Sequence, residues 1–89
     1  MKAVVTVVGQ DRTGIIAGVS GYLAEKEINI LDISQTIVSG YFNMMMIVDR
    51  SGSEVSFADC QEALNKIGEG LGVDIKCQRA EIFDMMHRI

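Results

Sequence analysis

The chain has 89 residues, which is enough for one small domain with one hydrophobic core. Hydrophobic residues make up 48% of the sequence and charged residues 22%, without any proline, a composition that excludes a disordered or fibrous chain. The formal net charge of -4 and the lack of a basic patch argue against nucleic acid and anionic membranes as partners.

The first predicted elements are a strand and a helix joined by a polar loop. The β-branched run KAVVTVV at residues 2–8 predicts a strand that is apolar on both faces and therefore central in its sheet. From Ile15 the apolar residues adopt the spacing of an amphipathic helix, which is expected to end near Lys26. The segment GQDRTG at residues 9–14 is therefore predicted to be the loop between strand and helix.

Two further strands are predicted next, joined by a tight turn. In NILDISQTIV apolar and polar residues alternate, so we expect Leu31, Ile33 and Ile37 to share one face. The run YFNMMMIVD follows directly after a turn at Ser39 and Gly40. Strands joined so tightly are expected to be antiparallel neighbours.

The segment SEVSFADCQEALNKIGEGLG predicts a second helix. Ser56 and Asp59 have the spacing of an N-terminal capping pair, and an apolar stripe is expected to face the core. The stripe consists of Phe57, Leu64, Ile67 and Leu71. The glycines at positions 68, 70 and 72 are expected to end the helix.

The last predicted strand completes a recognisable topology. In VDIKCQRAE the side chains of Val73, Ile75 and Cys77 are expected to point inward. The order strand, helix, strand, strand, helix, strand predicts an α+β fold, a ferredoxin-like βαββαβ sandwich in residues 1–80. Its four-stranded antiparallel sheet would have both helices on one face and the first and third strands in the middle. Residues 81–89 predict a short C-terminal helical tail that packs on the sheet or on a partner subunit.

The sheet face away from the helices predicts a homodimer, because a monomer would leave its apolar side chains in water. The side chains expected there are those of Val4, Thr6, Val8, Met45 and Ile47. The first helix also has small residues on the flank away from its core stripe, where another backbone can approach closely. The predicted dimer interface consists of Gly18, Gly21, Val4, Thr6, Met45, Ile47 and Met86.

The loop GQDRTG is the candidate binding segment, because free N–H groups at the start of a helix favour an anion such as a carboxylate. Gly14 lets a ligand lie directly against the backbone, and Arg12 adds a positive charge. The lysine and hydroxyl residue of a phosphate-binding loop are missing after the last glycine, so a nucleoside triphosphate is not expected. Structural roles stay open as well: Asp11 or Thr13 as helix cap, Arg12 as a solvated charge, and Asn29 as a turn residue.

The segment GQDRTGIIAGVSGYLAEKEINILDISQT resembles the ACT domain, the regulatory module first described in aspartate kinase, chorismate mutase and prephenate dehydrogenase. The resemblance rests on the spacing of Asp11, Gly14, Ile15, Val19, Leu23, Ala24, Asn29 and Ile30. The chain is most similar to the small stand-alone ACT proteins of prokaryotes, which are similar to one half of the glycine cleavage system transcriptional repressor.

This resemblance implies a βαββαβ domain that dimerises and binds an amino acid at the subunit interface, between the first loop and the start of the second strand. The ligand-binding residues would be Asp11, Arg12, Thr13, Gly14 and Ile15 on one side, and Asn29 and Ile30 on the other. The expected function is regulatory, through a small amino acid or an unidentified protein partner, without catalytic activity, cofactor or metal. A purely structural or protein-binding dimer is the alternative.

Two other classes of protein share the predicted topology. Acylphosphatases use an arginine in the equivalent loop, but their aromatic residues and Gln-Gly-Val signature are missing here. RNA-binding modules need aromatic side chains on the two central strands and a basic surface. This chain instead has valine, threonine, methionine and isoleucine there and a negative net charge. Both classes therefore rank below a binding or interaction module.

The remaining reactive residues predict no further site. Cys60 and Cys77 lie 17 residues apart, without a C-x-x-C motif and with only one histidine in the chain, so two small buried hydrophobic residues are expected rather than a redox pair or a zinc site. His87 lies in the tail with no second base or nucleophile near it in the sequence. The sequence starts without a signal peptide and contains no membrane-spanning apolar run, which predicts a cytoplasmic protein.

Overall fold

The protein is described by a computed structural model that covers residues 2–10 and 13–81. The elements, in chain order, are β1 (Lys2–Gln10), α1 (Ile15–Glu25), β2 (Asn29–Val38), β3 (Tyr41–Asp49), α2 (Phe57–Leu71) and β4 (Val73–Arg79). The order of elements predicted from the sequence is confirmed. The predicted helical tail lies outside the described residues beyond residue 81, and so does the interface residue Met86.

The four strands form one antiparallel sheet in the order β2-β3-β1-β4. β1 pairs with β3 along its whole length, from Lys2 opposite Asp49 to Gln10 opposite Tyr41. It pairs with β4 on its other side, so the first and third strands are the central ones, as predicted. This arrangement is the ferredoxin-like βαββαβ fold.

The hydrophobic core lies between one face of the sheet and the two helices. Alternate residues of the strands supply its floor, because successive side chains of a strand point to opposite faces. The core side chains of the central strands are Ala3, Val5, Val7, Phe42, Met44, Met46 and Val48. The helices cover them with Ile15, Val19 and Leu23 of α1 and Cys60 and Leu64 of α2. Full burial of one such aliphatic side chain contributes about 1.5–3 kcal/mol to the free energy of unfolding.

The two ends of α2 lie at residues that the sequence predicts, Ser56 and Gly72. The hydroxyl oxygen of Ser56 accepts a hydrogen bond from the Asp59 backbone N–H at 3.1 Å, which confirms the predicted cap. The predicted end at Gly72 is confirmed, since this residue is the left-handed C-cap of α2, whereas the expectation that Gly68 and Gly70 end the helix is wrong. A Cβ at position 68 would lie 2.7 Å from the Val73 carbonyl oxygen, so glycine there allows α2 to lie against the start of β4.

The edge strand β2 is exposed on both faces along nearly its whole length. Ile33 and Ile37 stand opposite Met46 and Phe42 of β3, so they belong to the helix side of the sheet, yet they remain 46% and 56% exposed. The predicted alternation fails at Leu31, which a register shift between residues 30 and 32 leaves out of the pairing with β3 as a β-bulge. The two helices therefore leave this edge of the sheet uncovered.

The opposite face of the sheet is less exposed than expected. Val4, which was expected to be exposed to solvent in a monomer, is 3% exposed. Its neighbours Thr6 and Ile47 are half-buried, and only Val8 and Met45 of this group are exposed, with Met45 at 43%.

Among the described residues no helix is both long enough and apolar enough to cross a membrane.

Candidate functional site

The corner between β1 and α1 is open at Gly14. This residue is the N-cap of α1 and has a left-handed backbone with φ of 94°. Among the described residues, and apart from its chain neighbours, no atom lies within 4 Å of the place where its Cβ would be. Its carbonyl accepts the Gly18 N–H at 2.8 Å, which starts the helical hydrogen bonds. Because the cap position is Gly14, Thr13 does not have the cap role that the sequence left open, and its side chain is exposed.

The other predicted residues of this corner divide into two groups. Ile15 is 2% exposed and belongs to the hydrophobic core, so its side chain faces the interior and only its backbone is at the start of the helix. Asp11 and Arg12 lie outside the described residues, and their predicted contacts with a ligand stay predictions. Thr13 and Gly14 are therefore the exposed part of the described corner.

The second predicted half of the site, Asn29 and Ile30, lies at the opposite end of the sheet. Asn29 stands opposite Asp49, which stands opposite Lys2 at the first residue of β1. The loop to α1 leaves from the other end of β1, and at about 3.3 Å per residue the nine residues of β1 span about 26 Å. One chain alone does not bring the two predicted halves together.

Asn29 also lacks the turn role that the sequence left open for it. The turn between α1 and β2 has its left-handed residue at Glu27, with φ of 58°. The turn is held by hydrogen bonds from the Glu27 and Ile28 N–H groups to the Ala24 and Leu23 carbonyls, at 3.1 and 2.8 Å. Asn29 is the exposed first residue of β2, beyond this turn.

The packing of α1 against α2 gives a structural reason for Gly18, one of the glycines predicted at a dimer interface. A Cβ at Gly18 would lie 3.1 Å from a methyl carbon of Leu71, so this glycine lies against α2 of the same chain. Gly21 is exposed and has no atom within 4 Å of its Cβ position. The interface assigned to these residues stays a prediction, and Gly18 has an additional structural reason within the chain.

The structure brings together two cysteines that the sequence did not indicate as a pair. Cys60 of α2 and Cys77 of β4 are both buried in the hydrophobic core. Hydrogen bonding with the Cys77 thiol is the main cause that lowers the pKa of Cys60 to about 7, helped by the Arg50 charge and the Tyr22 hydroxyl and opposed by burial. The pKa of Cys77 is raised, first by the same hydrogen bond and then by burial.

Arg50 holds a fixed position beside this pair. Its guanidinium donates a hydrogen bond to the Val55 carbonyl at 2.8 Å and lies 5.2 Å from the centre of the Phe57 ring. The guanidinium of Arg79 lies 5.4 Å from the same ring. Burial is the main cause that raises the pKa of the neighbouring Tyr22 hydroxyl.

Only a weak feature of the sequence could have indicated that the two cysteines lie near each other. Cys60 lies one helical turn before the core residue Leu64, and both cysteines occupy positions that face inward.

A surface groove of about 520 Å³ runs between α2 and β4 next to Cys77. Its lining residues are Ala58, Gln61, Glu62, Asn65, Ile75, Lys76, Cys77 and Gln78. The Gln61 side-chain amide donates a hydrogen bond to the Cys77 carbonyl at 2.8 Å across this groove. Within residues 2–10 and 13–81, histidine, cysteine, aspartate and glutamate nowhere form a group of three that could hold a metal ion.

Comparison with known proteins gives consistent matches over nearly the whole chain. A family model described as ACT domain matches residues 2–78. A UPF0237 protein of Bifidobacterium longum is 56% identical over 88 residues, which cover 99% of this chain and 98% of that protein.

Solved structures show the same fold. An ACT domain protein from Streptococcus pneumoniae is 47% identical, with a TM-score of 0.82, and the match covers 93% of each chain. A putative glycine cleavage system transcriptional repressor matches with a TM-score of 0.73 at 22% identity, over 86% of this chain and 44% of the repressor, which is a likeness of fold.

Proposed function

The chain belongs to the ACT domain family, and from this premise we propose that it is a regulatory module that binds a small amino acid as a homodimer, without catalytic activity of its own. The resemblance of the sequence to ACT domains implies a regulatory role. The proposal extends this role to the exposed corner at Gly14 and to the start of β2 at Asn29.

The observation that carries the proposal is the position of the two halves at opposite ends of one sheet. If the β2 edges of two copies pair antiparallel about a two-fold axis, β2 of the second copy runs in the opposite direction. Asn29 of the second copy then lies at the same end of the joined sheet as Gly14 of the first. A dimer of this kind forms two equivalent sites, each with one half from each chain.

The β2 edge has the properties that favour such pairing. An edge strand presents unpaired N–H and C=O groups, and proteins that avoid pairing place lysine or proline there. β2 has ten residues with neither, and its only charged residue is Asp32. The Asp32 carboxylate accepts the Ile33 N–H at 2.9 Å, next to the bulge. The strand beyond this point carries the exposed apolar side chains of Ile37 and Val38.

The chemistry of the two halves is complementary to an amino acid. The first N–H groups of α1 are donors for a carboxylate, and the open backbone at Gly14 lets the carboxylate come close. The side-chain oxygen of Asn29 accepts a hydrogen bond from an ammonium group. Asp11 and Arg12 add one charge of each sign in the same loop, which suits a zwitterion.

The test is a thermal-shift screen with the common amino acids on the native chain, on Asn29→Ala and on the control Gln78→Ala. Gln78 is also an exposed strand amide, but it belongs to β4, away from both halves of the site. At a hundredfold excess over its Kd, a ligand that binds only the folded state stabilises it by about 2.7 kcal/mol. We expect this shift in the native chain and in Gln78→Ala, and its loss in Asn29→Ala.

The screen also separates the proposal from its alternative. A native dimer that no amino acid stabilises would support a purely structural or protein-binding role. An equal shift in Asn29→Ala and in the native chain would instead remove Asn29 from the site.

A further inference from the structure

Val4 is buried at a place that neither helix covers. Its side chain is 3% exposed, yet it points to the face of the sheet opposite α1 and α2, because Ala3 and Val5 on either side of it point into the core. Among the described residues, Val4 is the one buried hydrophobic side chain that does not belong to that core. A second contact, separate from the helices, therefore shields Val4 from water.

The shielding is confined to one end of this open face of the sheet. Ile47, which stands opposite Val4 on β3, is half-buried. Met45 and Val8 lie further along the same two strands and are 43% and 48% exposed. The covered end is the one at which β1 begins and β4 ends, since Ala3 pairs with Arg79.

The chain leaves β4 at the covered end. Arg79 is the last residue of β4, and the two residues after it, Ala80 and Glu81, already have a helical backbone. Neighbouring strands lie about 4.8 Å apart, so the following residues start one strand away from Val4. Residues 82–89 lie outside the described residues, and eight residues in a helix would span about 12 Å. This length is enough to cover Val4 and Ile47.

The sequence of residues 82–89, IFDMMHRI, is that of an amphipathic helix. The apolar face has the spacing i, i+3, i+4 and i+7 and consists of Ile82, Met85, Met86 and Ile89. Asp84, His87 and Arg88 would lie on the opposite, polar face. A helix this short is marginal in water by itself, so its apolar face needs a surface on which to pack.

We propose that residues 82–89 form a helix that docks on the open face of their own sheet, with its apolar side over Val4 and Ile47. Val4 is already buried within a single chain, which favours the chain's own tail over that of a second copy. The tail would thus take the covered end of the open face and leave Val8 and Met45 exposed. The β2 edge stays free, so this proposal and the proposed homodimer stand independently.

The first test is methyl NMR on the full chain with valine and methionine methyl groups labelled with 13C. We expect nuclear Overhauser effects between the methyl groups of Val4 and those of Met85 or Met86. The variants Met85→Leu and Met86→Leu assign the methionine signals and keep an apolar side chain at each position. Absence of any such effect to Val4 would overturn the proposal.

A mixed sample distinguishes the chain's own tail from that of a partner. Chains labelled only at methionine and chains labelled only at valine are unfolded and refolded together in equal amounts. If each tail packs on its own sheet, the effects between Val4 and the tail methionines should disappear in this mixture. Their persistence would place the tail on the partner subunit and overturn the proposal.

Hydrogen exchange of the C-terminal peptide, followed by mass spectrometry, tests the face that docks. Met86→Lys and His87→Lys add the same charge one residue apart, on opposite faces of the proposed helix. We expect loss of protection in Met86→Lys and native protection in His87→Lys. On the sheet, Val4→Thr should weaken the protection, whereas the control Val8→Thr, at an exposed position of the same strand and face, should not. Equal exchange in Met86→Lys and His87→Lys would contradict docking through the apolar face.

Discussion

Gly68 and Gly70 of α2 differ in whether the structure leaves room for a side chain. Gly68 is buried, and a Cβ there would lie 2.7 Å from the backbone carbonyl oxygen of Val73. Gly70 is exposed in the same helix, with no atom within 4 Å of its Cβ position. Close packing thus requires glycine at the first position and leaves the second free.

We expect Gly68→Ala and Gly70→Ala to change the free energy of unfolding in opposite directions. The first variant pushes α2 away from β4, and overpacking of this kind costs roughly 1–3 kcal/mol. The second variant should stabilise the protein by up to about 1 kcal/mol, because alanine has the higher helix propensity. Urea unfolding of the two variants and the native chain measures both effects. Equal destabilisation by both variants would show that the contact of Gly68 with β4 is not the cause.

The thiol pair predicts a pH dependence for the alkylation of Cys60. Hydrogen bonding with the Cys77 thiol lowers the pKa of Cys60 to about 7 in the folded chain, below the value of about 8.5 for an unperturbed thiol. The alkylation rate of Cys60 with iodoacetamide, followed by peptide mapping, should therefore rise with a midpoint near pH 7. In Cys77→Ala this hydrogen bonding is lost, and we expect the midpoint to move to higher pH.

The sign of the linked stability follows from the same shift. A thiol whose pKa is lower in the folded state contributes stability that is fully present above its unfolded pKa. This contribution is lost as the pH falls through the folded pKa of about 7. An alkylation midpoint near 8.5 in the folded native chain would contradict the assigned environment of Cys60.

At the scale of elements, the order and most bounds of the helices and strands could be predicted because they depend on local periodicity. The change from period two to period 3.6 at Ile15 is the clearest case, and α1 begins there. The end of α2 at Gly72 could be predicted, but its continuation through Gly68 and Gly70 could not, because the close approach of Gly68 to β4 is a tertiary contact. The cysteine pair likewise depends on how α2 lies over β4, which no spacing in the sequence specifies.

The geometry of α1 separates the two halves of the candidate site within one chain. The helix has eleven residues and a rise of about 1.5 Å per residue, so it carries the chain to the other end of the sheet before β2 begins. Residues of the first loop and residues at the start of β2 are thereby separated in one chain. The sequence pattern singles out both groups, and only the family resemblance implies that a second copy brings them together at a subunit interface.

The exposed edge of β2 predicts which surface two copies share. We expect Ile33→Lys to convert the proposed homodimer to a monomer, because the new charge lies on the unpaired edge and lysine there opposes strand pairing. The matched control is Met45→Lys, which places the same charge at a similarly exposed apolar position on the open face of the central strand β3. Sedimentation velocity at micromolar concentration distinguishes monomer from dimer for each variant.

The outcomes assign the interface. Loss of the dimer in Met45→Lys with its retention in Ile33→Lys would move the interface to the open face of the sheet, as the sequence first indicated. A native chain that sediments only as a monomer would contradict the homodimer itself.

For the whole molecule, the two-chain site predicts that two inactive variants restore binding when they are mixed. Gly14→Val places a side chain in the open corner, where the backbone φ of 94° also disfavours it, and Asn29→Ala removes the other half. Each homodimer then has a defect in both of its sites. A heterodimer has one site with both defects and one site with neither, since intact Gly14 comes from one chain and intact Asn29 from the other.

Random exchange of subunits in an equal mixture makes half of the dimers heterodimers, so about a quarter of all sites should bind. Isothermal titration calorimetry with the amino acid that stabilises the native chain measures this fraction after unfolding and refolding the variants together. The same variants refolded separately and then mixed without exchange are the control and should not bind. If both halves of the site belonged to one chain, refolding together would restore no binding, and the antiparallel β2 dimer would not be the binding unit.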